Sequence, residues 1–274
     1  VNPDLEHLAI LAKPRAGSLM YVKRSSRFEA HSRRHRKDFV AAPIATENGH
    51  RIESIVAGIP LFRGLGRQNV VALAGAARLA NARRGASLAR RGEPMPGVIA
   101  VAEGMLKLAL RGGSGAERVL RFVGPGETFG EAAVLLSRPS AVDAVALADT
   151  LFVVLPAASI RGLMGRHAPF ARLMAMLLAE RMLALLTEVE ASELRPAGER
   201  LAAYLLGLAE PDGEDGRLTA HLPATKTVIA SRLGMKKETL SRLLHDLSSR
   251  HLIEVSRREI AILDRRGLGE IARS

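Results

Sequence analysis

The stretch Lys226–His245, KTVIASRLGMKKETLSRLLH, decides how this chain is read. Ile229 and Leu233 share one face of a first helix, and the small Ala230 lies where a second helix has to approach closely. Gly234 opens a turn and Met235 covers the junction. Leu240 and Leu243 then return to the core at helical spacing, which leaves Lys237, Glu238, Ser241 and Arg242 on the opposite face, with Lys236 and Thr239 beside them. This pattern predicts a helix-turn-helix whose polar face suits a major groove. An Arg forks onto guanine O6 and N7, a Glu accepts from cytosine N4, and a Ser serves either a base edge or a phosphate. The plainer alternative is a helical hairpin with a solvated polar face. It leaves unexplained why the small residue, the glycine and the apolar positions all fall at these offsets. One local rule fails at Lys236, where an oxygen-bearing helix cap is expected. A lysine there opposes the helix dipole by a few tenths of a kcal/mol to about 1 kcal/mol, but beside a DNA phosphate its charge becomes useful.

The residues around this stretch extend the pattern. Thr225 is placed to cap the first helix. Downstream, Leu252–Val255 and Glu259–Leu263 alternate as strands about the basic turn Ser256, Arg257, Arg258, a wing with two arginines placed to meet phosphate, and Asp264 can cap a short final helix. Upstream, Gly198–Ala209 carries Leu201, Leu205 and Leu208 on one helical stripe, and the acidic loop Pro211–Gly216 precedes a short strand. Pro196 marks a domain boundary. Before it, Ala168–Leu194 reads as one long helix with Pro169 in its first turn. Phe170, Leu173, Met174, Leu177, Leu178, Met182, Leu185, Leu186 and Val189 cover more of its circumference than one packing face requires. A second apolar face needs a second partner.

Composition narrows the function class. A chain of 274 residues with 47% hydrophobic content supports two cores, and a formal charge of +12 favours a polyanionic partner. The absence of any apolar run near twenty residues argues against a membrane span, and no secretory signal is visible, so the expected compartment is the cytoplasm. Without cysteines there can be no disulfide, thiolate zinc site or cysteine-held iron–sulfur cluster, whereas haem through His or Met stays open. With 3% aromatics and no Trp, single-strand stacking platforms are poorly supplied, which favours double-stranded DNA. No nucleophile–base pair, metal quartet or phosphate loop stands in a convincing context, so an enzyme is not expected.

Residues 1–50 carry the basic run Lys23–Lys37 without a sustained apolar period and read as a disordered arm, in which His31 and His35 make only a weak metal signal. From Arg51, an amphipathic piece is followed by a turn at Pro94–Gly97 and strand-length runs at Val98–Val101, Met105–Leu110 and Arg118–Val123 between glycines. This is the pattern of a small barrel or roll. The segment Gly124–Pro156, GPGETFGEAAVLLSRPSAVDAVALADTLFVVLP, has a glycine turn, the pair Gly130–Glu131, a short helical run ended by Pro139, and two more strands. It resembles the phosphate-binding cassette of cyclic-nucleotide-binding domains, in which a Gly-Glu pair meets the sugar side and an Arg after the short helix binds the cyclic phosphate. Gly130 and Glu131 match, but the Arg position falls on Ser140, and Arg138 lies on the wrong side of Pro139. Leaving a buried phosphate unpaired costs about 3 to 5 kcal/mol, so the cassette implies the fold more strongly than the ligand. Gly130 and Glu131 also admit a structural role, as a tight turn and as a carboxylate capping backbone amides.

A roll of this type, a dimer helix and a C-terminal winged helix-turn-helix in this order resemble the Crp/Fnr superfamily of bacterial transcription regulators over about residues 51–274. The expected fold is α+β, with a cyclic-nucleotide-binding-like sensor roll at 51–167, a dimerisation helix at 168–195 and a winged helix-turn-helix at 196–274. Glu238-Thr239-Leu240-Ser241-Arg242 is similar to the recognition helix of the Fnr branch, which implies a palindrome close to TTGAT-N4-ATCAA with half-sites ~34 Å apart. The resemblance further implies a homodimer, RNA polymerase as a partner, and a small-molecule effector in a pocket that includes Gly130, Glu131 and Ser140. Cysteine-free relatives with this recognition helix include the dissimilatory nitrate respiration regulators, which implies haem as the cofactor, nitric oxide as the signal and denitrification genes as targets. His167, just before the long helix, is then the candidate axial ligand, with methionines and prolines as others. Two other readings remain open, a cyclic-nucleotide-responsive regulator and a ligand-binding regulatory module of another class.

Overall fold

The structure is a computed structural model that describes residues 40–41, 46–113, 115–212 and 217–273. The basic run Lys23–Lys37, with His31 and His35, lies outside the described residues. The first domain reaches back past the predicted boundary at residue 51, because helix α1 spans Thr46–Gly58 and strand β1, Val40–Ala41, pairs with β2, Arg78–Ala82. A 3-10 turn, Pro60–Phe62, and α2, Arg67–Ala76, complete the entry to the first domain.

The roll is two antiparallel sheets. The first has the order β1-β2-β9-β4-β7, with β4 Gly97–Glu103, β7 Thr128–Phe129 and β9 Thr150–Pro156. The second has the order β3-β8-β5-β6, with β3 Ser87–Ala89, β5 Leu106–Arg111, β6 Glu117–Val123 and β8 Asp143–Ala146. Strand alternation divides the apolar residues between two cores. Ile99, Val101, Phe129 and Phe152 of the first sheet face Leu106, Leu108 and Val123 of the second. Val98, Ala100, Val153 and Leu155 face the other way, onto Ile52, Val56, Phe62, Leu73, Ile160, Phe170 and Met174 of the helical layer. Both faces of the β4 and β9 pair are therefore dry, which is why these runs read as continuously apolar rather than alternating. The helical layer includes α4, Ala157–Arg166, which the sequence reading did not anticipate. The expected turn at Pro94–Gly97 lies slightly earlier. Gly92, at φ 85°, makes it and donates to the Ser140 carbonyl at 2.8 Å, while Gly97 already begins β4.

Helix α5 runs Ala168–Leu194, as the periodicity predicted. Only Phe170 and Met174 are buried within the chain, whereas Met176, Met182, Leu183, Leu185, Leu186 and Val189 are exposed. The C-terminal domain packs α6, Ala197–Leu208, α7, Lys226–Arg232, α8, Lys237–Ser249, and α9, Arg265–Ile271, against a sheet of order β10-β11-β13-β12. Its strands are β10 Ala209–Asp212, β11 Arg217–His221, β12 Ile253–Ser256 and β13 Glu259–Ile262. Pro211 and Asp212, expected in a loop, pair with β11 instead. Asp264 caps α9 by accepting from the Gly267 amide at 2.9 Å.

Candidate nucleic-acid interface and effector site

The reading head is built from the turn outward. Ile229, Ala230 and Leu233 are buried on the inner face of α7, and Gly234 follows with φ 64°, a left-handed conformation that glycine adopts without steric cost. A β-carbon built on Gly234 would also meet the Arg118 guanidinium, the mobile end of a long side chain that would have to shift. Helix α8 buries Leu240, Leu244 and Leu247. Leu243, expected in the core, is only half-buried; the stripe turns one residue further because α8 packs on the sheet through the 240, 244, 247 face. Lys236, Lys237, Glu238, Ser241 and Arg242 are exposed, with Thr239 half-buried beside them. Lys236 occupies the N-cap position with extended backbone and no side-chain cap bond, as the sequence suggested, and Thr225 stands at the N-cap of α7 likewise without a side-chain bond. In the wing, Arg257 takes φ 53° at the hairpin tip, and both Arg257 and Arg258 are exposed. The head thus offers one outward face of mixed donors and a carboxylate, flanked by two cations.

The cassette in the roll has a different chemistry from the one its motif suggested. Gly130 sits at φ 93°, where a β-carbon would come within 2.5 Å of Met95 Cε, so its role as a tight turn holds. Glu131 is 2% exposed, and its carboxylate does not cap backbone amides. Its Oε2 pairs with Arg181 of α5, while Oε1 is buried without a partner. Arg181 also donates to the Thr128 carbonyl at 2.8 Å and to Thr128 Oγ1 at 3.3 Å. Arg121 of β6 donates to the same carbonyl at 2.7 Å and lies 3.7 Å from Glu127. Burial, and next the neighbouring Arg181 charge, hold the Arg121 guanidinium below its usual pKa, against the opposing pull of Glu127 and Glu131. Two guanidinium groups thus converge on the Thr128 carbonyl, and one of them, Arg181, also holds the buried Glu131 carboxylate. Arg181 Nε, like Glu131 Oε1, is buried there without a partner. Sequence reasoning missed Arg121 and Arg181 because they come from a different strand and a different helix, and no local spacing links them to Glu131.

Ser140 and His167 are not drawn into that cluster. Ser140 Oγ donates to the Val142 carbonyl at 2.7 Å, and the Ser140 amide donates to the Glu93 carbonyl at 2.8 Å, bonds that close the loop after the short helix α3, Glu131–Leu135. His167 caps α5, its Nδ1 accepting from the Phe170 amide at 3.1 Å. A neutral imidazole that accepts at Nδ1 carries its proton on Nε2, which then has no lone pair for iron. Cap and axial ligation through Nε2 require opposite tautomers, so His167 as seated does not fit the haem role expected of it. Among the described residues, no group of three or more His, Cys, Asp or Glu is arranged to hold a metal ion. None of the described helices is long and apolar enough to cross a membrane.

Comparison with known proteins agrees with both halves of this architecture. Residues 79–167 match the cyclic nucleotide-binding domain family, and residues 199–271 match the Crp-like helix-turn-helix domain family. The CRP-like cAMP-activated global transcriptional regulator of Mycobacterium tuberculosis is 24% identical over 81% of this chain and 100% of its own. A solved Crp/Fnr-family transcriptional regulator from Thermus thermophilus is 25% identical with a TM-score of 0.57, over 72% of this chain and 98% of its own. A solved Ruegeria pomeroyi protein, assigned as a cyclic nucleotide binding protein, is 30% identical with a TM-score of 0.54 over 82% of this chain and 99% of its own. With a nucleotide-binding-type roll ahead of a Crp-like reading head in a single polypeptide, the chain belongs to the Crp/Fnr family of DNA-binding transcription regulators.

Proposed function

We propose that two copies of this chain, joined along α5, read an Fnr-like palindrome, TTGAT-N4-ATCAA, and that a small polar effector at Glu131, Arg181 and Arg121 gates the binding. One observation carries the DNA half of this reading. Glu238, Ser241 and Arg242 stand exposed on α8 away from its buried leucines, so base-reading groups point outward from a rigid element. In a duplex-binding titration read by fluorescence anisotropy, Glu238→Ala and Arg242→Ala are each expected to relax preference at one position per half-site, losing about 1 to 3 kcal/mol of discrimination. Variants that bind the palindrome and its single-base substitutions with the parent's preferences would overturn the assignment.

The effector half has two readings. Haem with nitric oxide, and with it control of denitrification genes, rests on the resemblance of the recognition helix. It would need an axial ligand other than His167 as now seated. A cyclic-nucleotide-type ligand is supported by the domain match at residues 79–167 and by the cAMP-activated Mycobacterium tuberculosis relative, and the charged lining of the site favours it. Here Arg121 and Arg181 would offer the positive charge that Ser140 lacks. The absorption spectrum of protein reconstituted with haem, read with and without nitric oxide, separates them. A Soret band that shifts with nitric oxide supports haem, and no shift together with measurable cyclic-nucleotide binding supports the nucleotide.

A further inference from the structure

Strand β6 and helix α5 each touch the effector site and the reading head. On β6, Arg121 reaches the Thr128 carbonyl, whereas Glu117 and Val119 bond Ser231 of the head and Arg118 lies against its Gly234. The register of β6 against β5 slips between these two groups, with Ala109 opposite Val119 and Leu108 opposite Arg121, so Leu120 is the extra residue of a bulge. On α5, Arg181 pairs with Glu131, and Glu188, seven residues or ~10 Å further along the helix, meets the head.

The contacts with the head are specific. Strand β6 is the edge of its sheet, and α7 lies against it. The Ser231 hydroxyl stands in for a neighbouring strand, accepting from the Val119 amide at 3.1 Å and donating to the Glu117 carbonyl. Glu188, with its side chain 15% exposed, takes Arg118 of β6 at 3.4 Å and Arg232 of α7 on the same carboxylate oxygen, Oε1. Arg118 also covers the Gly234 turn between α7 and α8. Phe122 and Leu147 of the roll join the apolar core of the head. One carboxylate thus ties the sensor sheet, the long helix and the first helix of the reading head together.

We propose that the Arg118–Glu188–Arg232 clamp, with Ser231 on the edge of β6, is a latch that couples the Glu131–Arg181–Arg121 site to the orientation of the DNA-reading head. This rests on the reading of that site as the effector gate. Both rigid elements that line the site end in the latch, so any ligand that draws Arg121 or Arg181 toward itself acts on the clamp through β6 and α5.

A double-mutant cycle tests it without knowledge of the effector. Arg121→Ala is expected to change the Kd for the palindromic duplex by about fivefold or more, the low end of ordinary allosteric coupling. In a Glu188→Gln background the same change should be less than about twofold. Equal effects of Arg121→Ala in both backgrounds, or none in the parent, would overturn the latch. Hydrogen exchange gives a second arm that needs no DNA. Glu188→Gln and, separately, Ser231→Ala should each speed exchange of the Val119 amide by about tenfold or more, with residues 98–101 unchanged. Unchanged Val119 exchange in both variants overturns the latch whatever the DNA result. If the parent fails to bind the duplex, the operator assignment falls. The latch is then decided by exchange alone, with Arg121→Ala expected to speed Val119 exchange in the parent and not in Glu188→Gln.

Discussion

At the scale of single residues, each unusual side chain here has an identifiable cause. The Tyr204 hydroxyl in α6 is buried without a hydrogen-bond partner, and burial raises its pKa to about 12 despite the opposing charge of Arg232. The folded state therefore holds the proton more tightly than the unfolded chain does. Ionisation of this tyrosine takes nothing from stability below pH ~10 and withdraws roughly 1.4 kcal/mol per pH unit as the pH climbs from ~10 toward 12. Urea denaturation of Tyr204→Phe should show a shallower alkaline loss than the parent, with stability at pH 7 equal or slightly higher, because an orphaned hydroxyl is removed. Identical alkaline limbs in parent and variant would refute this. Glu131 and Arg181 form a buried ion pair. Truncating one member of a buried ion pair strands the other at a cost of about 3 to 5 kcal/mol, so the two residues are understood only together.

At the scale of elements, α5 carries the clearest unmet requirement. Met182, Leu185, Leu186 and Val189 fall at the i, i+3, i+4, i+7 spacing of one helical stripe, and all are exposed on the single chain. A second copy of the same stripe covers it in the dimer we propose. Placing carboxylates in that seam, Leu186→Glu with Val189→Glu, is expected to halve the mass seen by light scattering and to leave the helix and both domain cores intact by circular dichroism. A variant that keeps the parent mass would place the dimer contact elsewhere. The periodicity of this helix was legible because it needs only one chain's sequence to be seen. Its bounds, Ala168–Leu194, matched the expectation, since Pro169 and Pro196 punctuate it. Helix α4 escaped notice for the complementary reason. It is ten residues long, lacks a side-chain N-cap and buries only Ile160 and Leu163, so neither cap nor stripe announced it.

At the scale of the whole molecule, the formal charge of +12 sets how DNA binding should respond to salt. Replacing both wing arginines, Arg257→Ala with Arg258→Ala, should weaken binding to all sequences alike and flatten the slope of log K against log salt by about 2, one per lost phosphate contact. Glu238→Ala and Arg242→Ala, in contrast, should change which sequences are preferred. A wing variant with an unchanged salt slope would remove Arg257 and Arg258 from the phosphate contacts. The proposed latch and effector site also belong to this scale, because each joins residues far apart in the chain. Glu188 lies 70 residues from Arg118, and Arg181 lies 50 from Glu131.

The amino-acid sequence by itself determined most of the elements and their order, helix α4 and strand β10 excepted. Apolar periodicity, glycine at the Gly234 turn, and the proline at each end of the long helix are local signals, and local geometry obeys them. It also identified the outward face of α8, because an amphipathic helix exposes whatever its buried stripe leaves over. Only the tertiary structure decided the chemistry of the roll. There Arg121 and Arg181 gather on the Thr128 carbonyl beside Glu131, Ser140 turns into its own loop, and His167 spends its Nδ1 on a helix cap. Ion pairs and caps are chosen by proximity in space, and proximity between residues 50 or 70 positions apart is a property of the folded chain that no window of sequence contains.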